Sequence, residues 1–208
     1  MASGNMASGN MASGNMASHS QADLLIAELA RLARQAGRSL LAASAEERSR
    51  ALHLMADEIE ASTDEILKAN AEDMQRAERE SMAPSMLDRL LLTPERIQGI
   101  AAGARQVASL PSPLGKKIRE STLPNGLHLE QITVPFGVVG MVYEARPNVT
   151  VDAAVILLMS GNSALLRGSS SAAESNRVLV DIMRRALQGT TISPDVLQLV
   201  PSDDLSLI

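Results

Sequence analysis

The sequence predicts an α/β fold in which N-terminal helices precede an incomplete parallel sheet. Apolar residues recur at intervals of three and four over residues 21–109, a spacing typical of amphipathic helices. From residue 138 onward, short apolar segments of strand length alternate with helical segments. Strands that follow one another through helices require a parallel sheet with right-handed crossovers, and such a sheet binds ligands beyond the carboxyl ends of its strands.

The first eighteen residues are a low-complexity repeat, in which MASGN occurs three times and is followed by MAS. The repeat has no charge, no basic start and no apolar segment, and these features exclude a secretory signal peptide. The sequence therefore predicts a disordered leader over residues 1–20. The remaining chain divides into a helical part at residues 21–110 and a sheet-forming part at residues 111–208.

The helical part carries clear helix-start signals. Ser44 with Glu47, and Ser62 with Glu65, fit the capping box, in which a hydroxyl and a carboxylate three residues apart bond each other's backbone. Thr93 places a capping hydroxyl ahead of a first-turn proline. No catalytic pattern is visible in this part, and its charged side chains are interpreted as a solvated surface.

The sheet-forming part begins with a turn-rich connector at residues 112–126 and continues into strand-like segments. Residues 127–134 alternate imperfectly between apolar and polar side chains. The elements predicted after them are a strand at 138–143, a buried helix at 151–160, a strand at 164–166, a helix at 171–187 and a strand at 196–200. Gly161 follows the buried helix, and glycine adopts the left-handed conformation that commonly ends helices.

Composition excludes several classes of function. The net charge is −5 and no basic cluster exceeds two residues, so the chain lacks the electrostatic footprint of a nucleic-acid-binding protein. The longest apolar run, residues 153–159, is far shorter than the roughly 20 residues of a membrane span. The chain has no cysteine, and its histidines, His19, His53 and His128, lack the spacing of a metal site. We therefore expect no nucleic acid partner, no membrane span and no bound metal.

Two loops follow the carboxyl ends of predicted parallel strands, one beginning at Glu144 and the other at Arg167. The second loop places Arg167, Gly168, Ser169 and Ser170 ahead of a helix. A guanidinium, hydroxyl donors and helix-start amides are groups that hold a phosphate or a phosphorylated ribose. An ordinary helix cap beside a surface arginine explains the same residues equally well, so spacing alone leaves both interpretations open.

The first loop contains Glu144, Arg146, Pro147 and Asn148. Glu144 and Arg146 are near neighbours and form either a functional pair or a surface ion pair. Asn148 follows Pro147 at the entry to a helix, where asparagine is a common N-cap. The alternative role for Asn148 is an amide donor directed at a developing oxyanion.

Five segments of the chain resemble one protein family. They are ASAEERSRAL at residues 43–52, NAEDMQRA at 70–77, MLDRLLLTPERI at 86–97, YEARPNVTVDAA at 143–154 and GNSALLRGSS at 161–170. The chain resembles the N-terminal half of the gamma-glutamyl phosphate reductases, also called glutamate-5-semialdehyde dehydrogenases, a proline-biosynthesis branch of the aldehyde dehydrogenase superfamily. YEARPNVTVDAA is highly specific to this branch. In GNSALLRGSS, Arg167 stands where most relatives carry lysine.

The resemblance implies an incomplete Rossmann-like parallel sheet of the aldehyde dehydrogenase type. It also implies a cytoplasmic enzyme that uses NADPH to reduce L-glutamyl 5-phosphate to glutamate 5-semialdehyde with release of phosphate. In this family a cysteine thiolate displaces the acyl phosphate, and hydride then reduces the thioester. By analogy, Asn148 donates to the tetrahedral oxyanion. The resemblance assigns NADP(H) contacts to Glu144, Arg146, Pro147, Arg167, Gly168, Ser169 and Ser170.

The chain departs from the family in two respects. It has no cysteine, and therefore no thiolate nucleophile for the covalent step. Its ending, SDDLSLI, also differs from what the family carries after the third strand. We therefore predict that this polypeptide alone is not an active reductase. Two alternatives are an NADP-binding module without catalysis, and a fragment that forms a homo-oligomer or associates with full-length subunits.

Overall fold

The computed structural model describes residues 9–201, with side chains described from residue 23 onward. N-terminal helices precede alternating strands and helices, as the sequence predicts. They are α1 (Gly9–Ala42), α2 (Ala45–Ala61), α3 (Thr63–Arg79), α4 (Pro84–Leu90), α5 (Pro94–Ala108), β1 (Lys117–Thr122), β2 (His128–Ile132), β3 (Val138–Val142), α6 (Pro147–Met159), β4 (Ser163–Arg167), α7 (Ala173–Leu187) and β5 (Leu197–Leu199). Short 3-10 turns at Ser170–Ala172 and Pro194–Val196 precede α7 and β5.

The two ends of the chain fall largely beyond the described part. Residues 1–8 of the predicted leader lie outside the described residues, and so does the SDDLSLI ending. Helix α1 is described from Gly9, so it includes residues 9–20 of that leader. The alanines and methionines of the repeat have high helix propensity, which is compatible with this helical start. The division into a leader and two parts stays a prediction.

The larger sheet is parallel, as the sequence predicts. Its strand order is β3-β4-β5, and β3 pairs with β4 from Val138 opposite Ser163 to Val142 opposite Arg167. The carboxyl ends of the two strands are therefore level with each other. This register brings the two predicted loops to the same edge of the sheet.

A second, two-stranded sheet corrects the prediction of a turn-rich connector. Strand β1 lies inside that connector and pairs with β2 in an antiparallel hairpin. Its residues, KIREST, are mainly polar and mostly exposed, so they show no apolar alternation by which a strand could be recognised. The turn signal at residues 124–126 is correct, because Gly126 N donates to Leu123 O at 2.9 Å between the two strands.

Two of the three predicted helix starts form as expected. The Ser44 hydroxyl accepts from Glu47 N at 3.1 Å, while Ser44 N donates to the Glu47 carboxylate at 2.7 Å. The Thr93 hydroxyl accepts from the backbone of the first turn of α5. The capping box predicted at Ser62 is wrong, because Ser62 makes no side-chain cap bond. Its hydroxyl instead accepts from Arg185 of α7 at 3.0 Å, a contact between distant helices.

The core joins the helices to the parallel sheet. Helices α1 and α6 contact β4, α7 contacts β5, and α2 contacts both α5 and α7. The chain contains one tyrosine and one phenylalanine, so the core is filled by aliphatic side chains and methionine. Its largest fully buried members include Leu40, Leu52, Met55, Ile59, Ile97, Leu158, Leu166, Leu179, Ile182 and Met183. Within residues 9–201, no helix combines the length and the apolar character that crossing a bilayer requires.

Gly161 ends helix α6 as predicted, and its substitution tests that role. Its φ is 76°, and an added Cβ would lie 2.7 Å from Leu114 Cδ1. We expect Gly161→Ala to lower the free energy of unfolding by about 1–2 kcal/mol, because alanine is strained in the left-handed region. Urea unfolding measures the change.

The matched control for that variant is Gly99→Ala in helix α5. Gly99 does not have a left-handed φ, and a Cβ there would meet nothing within 4 Å. Alanine should therefore raise the free energy of unfolding by about 0.4–1 kcal/mol, through its smaller loss of backbone entropy. Equal stability of the Gly161→Ala variant and the parent would contradict the left-handed cap.

Candidate functional site

The two predicted loops meet at the carboxyl ends of β3 and β4. Tyr143, the first residue after β3, donates its backbone N–H to the Arg167 carbonyl at 3.1 Å. The loop that begins at Glu144 and the loop that begins at Gly168 therefore leave the sheet side by side. This confirms the expected placement of both loops at one edge of a parallel sheet.

A buried chain of hydrogen bonds lies beneath both loops. The Thr150 hydroxyl donates to Asn176 Oδ1 at 2.8 Å, and the Tyr143 hydroxyl lies 2.8 Å from the same Thr150 oxygen. Because a hydroxyl has a single proton to donate, the Tyr143 hydroxyl is the donor in the second bond. Burial raises the pKa of Tyr143 to about 12, so the phenol keeps that proton at neutral pH. The chain ties the start of α6 to the first turn of α7.

Gly168 must be glycine, because its backbone packs closely against the side chains of this hydrogen-bond chain. A Cβ added at Gly168 would lie 2.1 Å from Asn176 Nδ2 and 3.0 Å from Tyr143 Cε2. The preceding Arg167 is also buried, with 8% of its surface exposed. The loop backbone therefore sits directly against the side chains that link α6 and α7.

The second loop opens into a cavity of about 620 Å³ at the carboxyl ends of β4 and β5. We call it the sheet-end cavity, and its lining includes Arg76, Gly168, Ser170, Asn176, Arg177 and Leu199. Arg167 and Ser169 are not among its lining residues. The Ser169 hydroxyl accepts from Ser171 N at 3.3 Å, so Ser169 acts as the cap that the plainer interpretation expects. Gly168 and Ser170 are the predicted cofactor residues that face this cavity.

The Asp73 carboxylate of helix α3 caps the start of α7, a role that the sequence analysis did not predict. Its carboxylate is completely buried and accepts from Ser175 N at 2.8 Å, from the Ser175 hydroxyl at 2.7 Å and from Glu174 N at 3.2 Å. Arg76 donates to the same carboxylate and, at 3.0 Å, to the Ser170 carbonyl. Two helix-start amides are therefore already bonded, and the prediction that such amides are available to a phosphate is wrong for them.

Asn70, one turn before Asp73, links the same start of α7 to the segment between α4 and α5. Its amide nitrogen donates to the Leu90 carbonyl at 2.9 Å and to the Ser175 hydroxyl at 3.1 Å. Its amide oxygen accepts from Leu92 N at 2.8 Å. Both polar residues belong to the NAEDMQRA segment, and that motif is the signal from which their role could have been suspected.

In the first loop, neither the predicted Glu144–Arg146 pair nor the predicted N-cap at Asn148 forms. Glu144 pairs with Arg89 at 3.2 Å, so the predicted pairing of Glu144 with Arg146 is wrong. Arg146 is the extended N-cap residue of α6 and Pro147 is its first helical residue. Asn148 is therefore not the N-cap, because the helix begins one residue earlier. Its amide nitrogen instead donates to Asp152 at 3.3 Å.

A second cavity, of about 480 Å³, lies between this loop and helix α5. We call it the loop cavity, and its lining includes Arg89, Arg96, Ile100, Arg146, Asn148 and Asp152. Burial raises the pKa of Asp152, while its bond with Asn148 acts in the opposite direction. The structure therefore places four of the predicted site residues in two cavities, while Glu144, Pro147, Arg167 and Ser169 line neither of them. Arg146 and Asn148 face one of them, and Gly168 and Ser170 face the other.

Comparison with known proteins identifies the family of this chain. The model of the aldehyde dehydrogenase family matches residues 8–207. The chain belongs to the aldehyde dehydrogenase family.

Several solved structures of this family are similar to the chain. A gamma-glutamyl phosphate reductase from Thermotoga maritima is 35% identical, with a TM-score of 0.84, over 86% of this chain and 44% of that protein. A gamma-glutamyl phosphate reductase from Saccharomyces cerevisiae is 30% identical, with a TM-score of 0.80, over 86% of this chain and 47% of that protein. A NAD-dependent benzaldehyde dehydrogenase from Corynebacterium glutamicum is 19% identical, with a TM-score of 0.66, over 86% and 36%, and shows the shared fold alone. The chain spans less than half the length of both reductases.

Aldehyde dehydrogenases use NAD or NADP, and the sheet-end cavity has the character that such a cofactor needs. It lies at the carboxyl ends of two parallel strands, where dinucleotides bind in sheets of this kind. Gly168 brings backbone to its wall without a side chain, and Ser170 offers an exposed hydroxyl. Arg76 and Arg177 also line the cavity, where Arg76 pairs with Asp73 and Arg177 pairs with Glu174 at 2.8 Å and Asp181 at 3.7 Å. The strand-end position, the glycine backbone and the serine hydroxyl fit a dinucleotide, and its phosphate groups would have to replace carboxylate partners of the arginines.

Within the described part of the chain, one group of side chains has the composition of a metal site. Glu120, His128 and Glu130 project from the hairpin with ligand atoms within 4.8 Å of one another. Lys117 already pairs with Glu120 at 2.8 Å and with Glu130 at 2.5 Å. All three side chains are exposed, and the single positive charge of Lys117 contacts both carboxylates. The expectation that the chain binds no metal stays a prediction.

Proposed function

We propose that the chain supplies the cofactor and substrate cavities of a gamma-glutamyl phosphate reductase. The reaction is the NADPH-dependent reduction of L-glutamyl 5-phosphate to glutamate 5-semialdehyde and phosphate, a step of proline biosynthesis in the cytoplasm. The observation that carries the proposal is that the two loops leave the sheet side by side, with Arg146 and Asn148 of the YEARPNVTVDAA segment lining one cavity and Gly168 and Ser170 of GNSALLRGSS lining the other. Similarity to two reductases of this name supports the choice of substrate.

The sheet-end cavity is proposed to hold NADP(H). Gly168 admits the dinucleotide close to the backbone, and the Ser170 hydroxyl donates to it. Arg177 is exposed and pairs with Glu174 at 2.8 Å, and exchange of that surface pair for the additional phosphate would favour NADP over NAD, because a guanidinium binds phosphate oxygens in pairs. When bound, the cofactor supplies the hydride of the reduction.

Asn148 is proposed to stabilise the oxyanion that develops on the substrate carbonyl. One hydrogen of its side-chain amide is directed at Asp152, and the other remains for the substrate. A side-chain donor of this kind typically contributes about 100- to 1000-fold to the rate. Asp152 fixes the orientation of the amide group, so that nitrogen and not oxygen faces the carboxylate.

A second candidate function is a non-catalytic module that binds NADP or associates with other subunits. The absence of cysteine from all 208 residues favours it, because the family's covalent step needs a thiolate. Exposed apolar side chains on the hairpin and the following segment favour association, among them Ile118, Leu127, Ile132, Val134 and Phe136. A second copy of this chain, or a full-length reductase subunit, is the expected partner.

Phosphate-dependent reduction of NADP with glutamate 5-semialdehyde measures the activity of the purified chain directly. We expect no rate above the buffer blank, because none of the 208 residues is a cysteine. A preparation from a host that lacks its own reductase is the control for contamination. A rate proportional to the concentration of the chain would contradict the expected lack of activity.

A further inference from the structure

The lining of the loop cavity has more positive than negative side chains. Its arginines differ in the number of hydrogen bonds and ion pairs that they make within the protein. Arg96 is the most engaged of its arginines, since it donates to the Asp88 carboxylate at 2.7 Å and to the carbonyls of Asp88 and Leu91 at 2.5 and 2.8 Å. It holds the end of α4 against the start of α5. Arg96 therefore contributes to the shape of the cavity, and its position is fixed by these three bonds.

Arg146 and Arg89 are the arginines of this cavity that remain available. In the described part of the chain, no hydrogen bond or ion pair joins the Arg146 guanidinium to another residue, although Arg146 lies on the cavity wall. Arg89 has a single partner, Glu144, at 3.2 Å, and both side chains are exposed to solvent. An exposed ion pair of this kind is weak and exchanges readily for another anion.

The chemistry of the cavity fits an anion that carries several oxygens. A guanidinium presents a fixed fork of N–H donors, which matches carboxylate and phosphate oxygens in pairs. Asn148 adds an amide donor to the same wall. Burial raises the pKa of Asp152, which disfavours the charged form of the carboxylate on that wall. An incoming anion therefore meets the Arg146 guanidinium and the Arg89 guanidinium, the latter held by an exposed and exchangeable pair with Glu144.

We propose that Arg146 and Arg89 bind an anionic group of the substrate, and that they select an acyl phosphate of an acidic amino acid over a neutral aldehyde. The proposal rests on the proposed function and extends it, because Arg146 moves from the cofactor contacts expected from sequence to the substrate cavity. The anion is either the phosphoryl group or the α-carboxylate, and the two share the oxygens that a guanidinium recognises.

The test follows the arginine side-chain N–H signals of the 208-residue chain by NMR. Inorganic phosphate is the probe for the phosphoryl group and L-glutamate is the probe for the carboxylate, both at constant ionic strength. The signals of Arg146 and Arg89, assigned from the variants Arg146→Gln and Arg89→Gln, should shift saturably with at least one probe. Arg146→Gln should raise the apparent dissociation constant about tenfold, and Arg146→Lys should raise it less, because lysine keeps the charge but loses the fork.

Arg119→Gln is the matched control, because Arg119 is an exposed arginine of strand β1 outside the loop cavity. It should leave the titration unchanged. Shifts that grow linearly with either probe, or a dissociation constant unaffected by Arg146→Gln, would overturn the proposal. Far-UV circular dichroism shows whether each variant keeps the parent fold.

A parallel titration with NADPH separates this proposal from the proposed function. If NADPH binds and neither probe does, the anion site is wrong while the cofactor cavity stands. If a probe binds through Arg146 and NADPH does not bind, the anion site stands while the cofactor assignment is wrong.

Discussion

Replacing Asp73 with alanine is expected to lower the free energy of unfolding by about 3–5 kcal/mol, because it removes one partner of a buried charged network. The Asp73 carboxylate accepts from two backbone amides and a hydroxyl at the start of α7, and it pairs with Arg76. The variant leaves the Ser175 amide and hydroxyl without an acceptor and leaves the Arg76 charge partly buried. The helix start also loses a favourable negative charge.

Thermal and urea unfolding of the Asp73→Ala variant measure the loss. For a chain of this length each kcal/mol corresponds to a shift of roughly 2–4 °C, so the melting temperature should fall by roughly 6–20 °C. Glu78→Ala is the matched control, because Glu78 is an exposed acidic residue of the same helix. It should change the free energy of unfolding by less than about 0.5 kcal/mol. Equal effects of the two variants on the free energy of unfolding would show that the Asp73 carboxylate does not stabilise the start of α7.

Replacing Gly168 with alanine is expected to damage stability and cofactor binding together. The added Cβ would lie 2.1 Å from Asn176 Nδ2, a distance that forces Asn176 or the loop backbone to move. Asn176 cannot move freely, because it is buried and accepts the hydrogen bond from Thr150. Overpacking of this kind typically costs about 1–3 kcal/mol. The shift of the loop should weaken NADPH binding at least tenfold, since Gly168 lines the sheet-end cavity.

Gly140→Ala in strand β3 controls for the general effect of adding a methyl group near this site. A Cβ at Gly140 would meet nothing within 4 Å. Urea unfolding and fluorescence titration with NADPH should therefore show near-parent values for Gly140→Ala and large losses for Gly168→Ala. Parent-like NADPH affinity in the Gly168→Ala variant would mean that this loop does not form the cofactor wall.

Features set by neighbouring residues could be predicted from the sequence. The cap at Ser44 and the turn at Gly161 depend on side chains or backbone conformations within a few positions, and both form as expected. The order of strands and helices predicted the parallel sheet and the meeting of the two loops. Strand β1 escaped prediction because a polar, exposed strand carries no apolar alternation.

Contacts between distant residues could not be predicted from local pattern. Asp73 meets Ser175 across 102 positions of the chain, and apart from the family resemblance of the NAEDMQRA segment no local pattern distinguishes it from an exposed helical carboxylate. Glu144 pairs with Arg89 across 55 positions, although Arg146 is closer in sequence. The direction of a side chain at a helix start decides such pairings, and sequence spacing alone does not specify that direction.

The binding of NADPH by the folded chain tests the proposed function most directly. A thermal melt with NADPH at about 100 times its dissociation constant should gain roughly 2.7 kcal/mol, an upward shift of about 5–10 °C for a chain of this size. At the same NADPH concentration, a tenfold weaker dissociation constant in Gly168→Ala should reduce the gain to about 1.4 kcal/mol. A cooperative melt that NADPH moves by this amount supports a cofactor cavity in these 208 residues. A melt that NADPH does not move would contradict it.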